Sequence, residues 1–116
     1  YGGVVATAAD RAVRVPMSFD PAMVMWVPGF VTKTDESRTA LPTAVPMADV
    51  VFNLGRTALL VAALAAGDVA VLREATRDRL HQGIRFAAAE PSRAALEAAL
   101  SAGAWAAWLR SSSNCC

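Results

Sequence analysis

The sequence predicts an α+β domain in which helices cover one face of a mainly antiparallel sheet. Three observations predict it: short β-branched and apolar runs within the first 27 residues, helical periodicity from 48 to 102 interrupted by glycines, and a closing apolar run at 104–109. A chain of 116 residues has room for one such core. With 55% hydrophobic and 18% charged residues it lies well away from the composition of disordered chains.

The first strands are expected at 4–7 (VVAT), 12–15 (AVRV) and 23–27 (MVMWV), separated by AADR and SFDPA. Between the prolines at 28 and 46 the composition turns polar. There Thr34, followed by Asp35 and Glu36, has the form of a helix N-cap with acidic first-turn residues, and Pro42 closes the element. A helix is expected over 48–66, with Val50, Leu54, Ala58, Val61 and Ala65 on its buried face and Gly67 as a left-handed cap. Asp68 then caps a second helix reaching about residue 82, whose stripe is Val69, Leu72, Thr76 and Leu80. A third runs over 92–102 after Pro91 and stops at Gly103, and AWAAWL at 104–109 reads as the last strand.

Composition excludes several functions. Eleven basic and ten acidic residues are scattered without a run of like charge, so no nucleic-acid partner is expected, since that surface needs clustered cations. The longest uninterrupted apolar run, 58–66, falls short of the roughly twenty residues of a membrane span. It is expected as a buried helix, with no membrane partner. No basic start precedes an apolar stretch, so the expected location is the cytoplasm. Cys115 and Cys116 are adjacent, which suits neither a structural cross-link nor a zinc site. YGGVVA at the start reads as the middle of a strand, so the chain is expected to be cut at its N-terminus, and RSSSNCC at 110–116 is expected to be a disordered tail.

His81 is the single histidine. On a continuous helix Asp78, His81 and Arg85 would share a face able to grip an anion, and the same spacing also fits an exposed helix end with favourable charge pairs. Arg38 lies in a polar loop, where its fork suits either a carboxylate or solvent. Trp26, Trp105, Trp108 and Phe52 are read as core. The seven glycines are dispersed, and nothing has the form of a loop that cradles a triphosphate.

TDESRTALP at 34–42, ADVVFNLGR at 48–56 and DRLHQGIR at 78–85, in this order and spacing, resemble the C-terminal half of bacterial homoserine kinases of the GHMP superfamily. The resemblance runs from YGGVVA to AWAAWL. It implies a truncated ferredoxin-like C-terminal domain over 1–109, with 110–116 as a tail foreign to the family. It also implies transfer of the ATP γ-phosphoryl group to L-homoserine, a step of threonine biosynthesis, with ATP and Mg²⁺ held by the missing N-terminal kinase half and neither cofactor nor catalytic residue in this chain. Arg38 and Arg85 would bind the substrate carboxylate, with Thr34 and His81 shaping the pocket. A homodimer is compatible with an uncovered apolar surface. The resemblance implies that family members continue past the last strand into a glycine-rich loop, and with RSSSNCC in its place the chain alone is expected to be inactive. The alternatives are a non-catalytic ferredoxin-like module that binds an amino acid, and a GHMP kinase for another small alcohol such as mevalonate.

Overall fold

The computed structural model describes residues 3–29 and 41–109. It begins with a hairpin of β1, Val5–Ala8, and β2, Arg11–Arg14, paired antiparallel with Val5 opposite Arg14 and Ala8 opposite Arg11. The two-residue turn places Ala9 at φ 48°, a left-handed conformation that matches the strand twist at the expense of backbone strain.

Helix α1 spans Met47–Ala66, with Asp49 in its first turn. It ends as the sequence predicts: Gly67 has φ 74°, and its N–H donates to the carbonyl of Ala63. A Cβ at Gly67 would lie 2.5 Å from Ser18 Oγ, so the position favours glycine on both backbone and spatial grounds. Asp68 accepts a hydrogen bond from Ala70 N at 3.2 Å and opens a 3₁₀ turn, Val69–Val71, which continues into α2, Leu72–Ala75. After an irregular stretch come α3, Gln82–Ala87, and α4, Glu90–Ser101, with Pro91 in its first turn and Gly103 beyond its end at φ 99°.

The core is a thin seam. Val15, Ala63, Leu64 and Leu72 are buried, and Met17, Phe19, Leu60, Val69 and Val71 pack around them. The end of the hairpin, the C-terminal half of α1 and the 3₁₀–α2 unit therefore meet at one place. This seam sets the position of the turn that follows α2.

The architecture is α+β, as expected, and the two-stranded sheet is antiparallel. Several expectations need correction. Residues 23–27 and 104–109 form no strand: among the described residues neither run pairs with a strand, and Ala104 N donates instead to the carbonyl of Ala99 behind it, at 3.0 Å. The second helix does not run from 68 to 82. It stops at Thr76, whose hydroxyl donates to the carbonyls of Leu72 and Arg73, and it resumes at Gln82. The face of α1 that packs carries Leu60, Ala63 and Leu64, whereas Leu54 on the expected stripe is 65% exposed. Trp26, Trp105 and Trp108 are exposed instead of buried, although Trp105 meets Phe19 edge to face at 5.9 Å.

By length and composition α1 is also sufficient to cross a membrane, and only 11% of its most apolar window is buried. The expectation of a buried helix thus fails for most of its length. Its polar side chains nevertheless contact the rest of the domain, as described below. The short helix expected after Thr34 and the tail 110–116 lie outside the described residues.

Candidate functional site

The turn between α2 and α3 is organised by one carboxylate. Asp78 Oδ2 accepts hydrogen bonds from three consecutive backbone amides, Leu80 N at 3.0 Å, His81 N at 2.7 Å and Gln82 N at 2.7 Å. Its other oxygen, Oδ1, accepts from Asn53 Nδ2 at 2.6 Å. Asn53 is on α1, and its own Oδ1 accepts from Arg79 N at 3.0 Å. Asp78 is thus bound by four N–H groups while its side chain is only 7% exposed. Burial pushes its carboxyl up, but the amides of Gln82 and His81, the Asn53 side chain and the nearby His81 ring outweigh that and hold it below the usual carboxylate range.

This arrangement explains why the predicted continuous helix breaks. An aspartate side chain competes with the backbone for its own neighbours' N–H groups, and here it takes three of them. Asp78 therefore does not share a helical face with His81 and Arg85. It caps the helix that carries Arg85, doing from outside what His81, the N-cap residue, does not do with its own side chain.

His81 and Arg85 are one helical turn apart, joined by Arg85 N donating to the carbonyl of His81 at 3.1 Å. His81 Nε2 lies 3.6 Å from Asp78 Oδ1. Both side chains are half-buried, and His81 Nδ1 and Arg85 Nε are buried with no hydrogen-bond partner among the described residues. The structure thus brings together Asp78, His81 and Arg85 about one turn, in a geometry different from the predicted one. Thr34 and Arg38 lie outside the described residues.

Beside this turn Phe52, read as core from the sequence, is half-buried beneath a ring of cations. The guanidinium carbons of Arg79, Arg56 and Arg77 lie 3.9, 4.3 and 5.6 Å from its ring centroid. Glu74 pairs with Arg56 and Arg77, and Asp49 lies 3.7 Å from Arg79. An open cleft of about 260 Å³ runs along this flank, with Asn53, Arg56, Arg77, His81, Gln82 and Trp108 in its wall. Sequence reasoning missed Asn53 and Arg56 as members of the site. The signal was present: Asp49, Asn53 and Arg56 recur at steps of four and three, a polar stripe on an otherwise apolar helix.

The acidic groups near the cleft are already committed. Asp78 is bound to amides, Glu74 to two arginines and Asp49 to Arg79, and among the described residues no group of three His, Cys, Asp or Glu could hold a metal ion. This donor set does not fit Mg²⁺, which needs free oxygen ligands in near-octahedral order.

No family model matches the chain. It is 42% identical over 111 residues to a homoserine kinase of Thermus thermophilus, covering 94% of this chain and 38% of that protein. Homoserine kinases of Gloeobacter violaceus and Solibacter usitatus are 49% identical over 84 residues and 46% over 93, covering 72% and 74% of this chain. The chain therefore spans well under half the length of these relatives. The crystal structure of homoserine kinase from Cytophaga hutchinsonii superposes on 98% of the chain and 37% of its own length, with a TM-score of 0.81. At 21% identity that likeness concerns the fold.

Proposed function

Because this chain belongs to the homoserine kinase family, we propose that it forms the C-terminal, substrate-side portion of a kinase that phosphorylates the hydroxyl of L-homoserine. One observation carries the reading. Arg85, at the end of the family-like segment DRLHQGIR, holds a half-buried guanidinium whose Nε has no partner among the described residues. A buried donor left unpaired costs on the order of 1–3 kcal/mol, and a carboxylate restores that bond with charge assistance. Arginine also presents its donors as a planar fork, which fixes the orientation of the bound carboxylate and so of the rest of the amino acid.

Arg85 and Arg38 bind the homoserine carboxylate in this reading, and Thr34 and His81 shape the pocket beside it. ATP, the phosphoryl donor, and any Mg²⁺ that accompanies it would be bound by the remainder of the kinase and not by the side chains of this cleft. The homoserine oxygen forms the new bond to phosphorus as the bond to ADP breaks and the hydroxyl proton is released, giving O-phospho-L-homoserine for threonine biosynthesis. Such chemistry asks the protein for position and charge more than for covalent participation, which is what two arginine forks supply. The exposed apolar flank of α1 would face the rest of the kinase. A cytoplasmic location accompanies the assignment, and no activity is expected of this chain by itself.

Steady-state kinetics of the complete kinase containing this sequence test it. Arg85→Lys and Arg38→Lys should each raise the homoserine KM about a hundredfold while the ATP KM moves less than about twofold, since lysine makes no bidentate contact. Equal effects on both substrates would remove the carboxylate role. Faster turnover of mevalonate than of homoserine would assign the chain to a kinase for another alcohol.

A further inference from the structure

We infer that Asn53 and Asp78 form a clamp between α1 and the turn preceding α3, and that both are positioning residues for His81 and Arg85. The inference rests on the substrate role proposed above for that pair. A six-residue helix such as α3 has too few internal hydrogen bonds to fix its own start. Its start is fixed from outside. Asp78 Oδ2 holds His81 N and Gln82 N, each at 2.7 Å, and the carbonyl of His81 in turn receives Arg85 N at 3.1 Å. The backbone of Arg85 is therefore two hydrogen bonds from the Asp78 carboxylate.

What holds Asp78 is Asn53. The amide of Asn53 donates to Asp78 Oδ1 at 2.6 Å and accepts from Arg79 N at 3.0 Å, so only one orientation of that amide satisfies both neighbours. The pair is separated by 25 residues, and it ties the turn to a twenty-residue helix anchored in the core at Ala63 and Leu64. Rotation or sliding of α3 would break several bonds to one carboxylate at once. Such a clamp suits a substrate arginine, because displacement of a binding group by about 1 Å is enough to cost on the order of a hundredfold in rate.

The complementarity of the pair provides its own test. In Asn53→Asp two carboxylates meet at hydrogen-bond distance, and in Asp78→Asn one amide donor faces another. The double variant N53D/D78N restores every contact with the roles exchanged: the new carboxylate accepts from the new amide and from Arg79 N, while the amide oxygen accepts from the α3 backbone. In the complete kinase we expect each single change to raise the homoserine KM about tenfold or more, with the ATP KM nearly unchanged, and the double variant to return within about threefold of the parent. A double variant as impaired as the two singles combined would overturn the clamp, and so would singles that leave the homoserine KM unaltered. Amide exchange at Leu80, His81 and Gln82, faster in the singles and slow again in the double, must accompany the kinetic rescue. If the parent kinase does not act on homoserine, the functional reading fails first, and the exchange pattern still reports separately whether the clamp exists.

Discussion

Asp78 and Glu90 each stand at the start of a short helix and each carries a carboxyl held below its usual range, yet their surroundings are opposite. Asp78 is nearly enclosed, and its partners are backbone amides and a neutral side chain from a distant helix. Glu90 is at the surface of α4, where Arg93 alone draws its carboxyl down, and Arg93 is shared with Glu97. Both look equally well paired by distance. A carboxylate organises structure when its partners have no alternative in water, and Glu90 and Arg93 do have that alternative.

Breaking the enclosed pair should have the largest effect. Asp78→Ala strands three backbone N–H groups and the Asn53 amide, and a loss on the order of 3 kcal/mol is expected in urea denaturation. A loss no larger than that of an ordinary surface substitution would equate the two regions. Phe52→Leu comes next. It removes the ring beneath three guanidiniums while keeping most of the apolar volume, and about 1–2 kcal/mol is expected from the same measurement. Gly67→Ala, at φ 74°, should cost about 1 kcal/mol, with Ser18 turning its hydroxyl away from the new methyl group.

Titration separates the two carboxylates further. Because the native carboxyl of Asp78 is held below its unfolded value, its contribution is fully present above about pH 4 and is lost as pH falls through the lowered native value. Stability of the parent should therefore decline more steeply toward pH 2 than that of Asp78→Asn, measured by thermal unfolding at a series of pH values. Parallel curves would show that the enclosure does not matter. Arg93→Ala is the smallest effect expected: no resolvable change in melting temperature, with or without 1 M salt as a screening control.

How much of this was legible in the sequence depends on the range of the interaction. Gly67 as a left-handed cap, Asp68 as an N-cap and the helix stop near Gly103 were all readable, because each is decided by a residue and its neighbours within a turn. Of the expected stripe Val69, Leu72, Thr76 and Leu80, Leu72 is buried in the core with Val69 packed against it, whereas Thr76 ends the helix and Leu80 lies beyond the break, only half-buried. Asp78, His81 and Arg85 were identified as a group from the residues and from family resemblance, but with the wrong geometry. A reading by helical spacing assigns Asp78 to a face, whereas its side chain had four donors available in folded space, one of them 25 residues away.

The α+β class, the positions of the main helical stops and the family to which the chain belongs all follow from the order of residues, because local propensity and short motifs are properties of near neighbours. It took the folded chain to establish that Asn53 is the partner of Asp78, that Phe52 lies under three arginines and that α1 packs by its Leu60, Ala63 and Leu64 face. Those outcomes depend on which distant side chain arrives to satisfy a buried polar group or to fill a gap, and no periodicity records that.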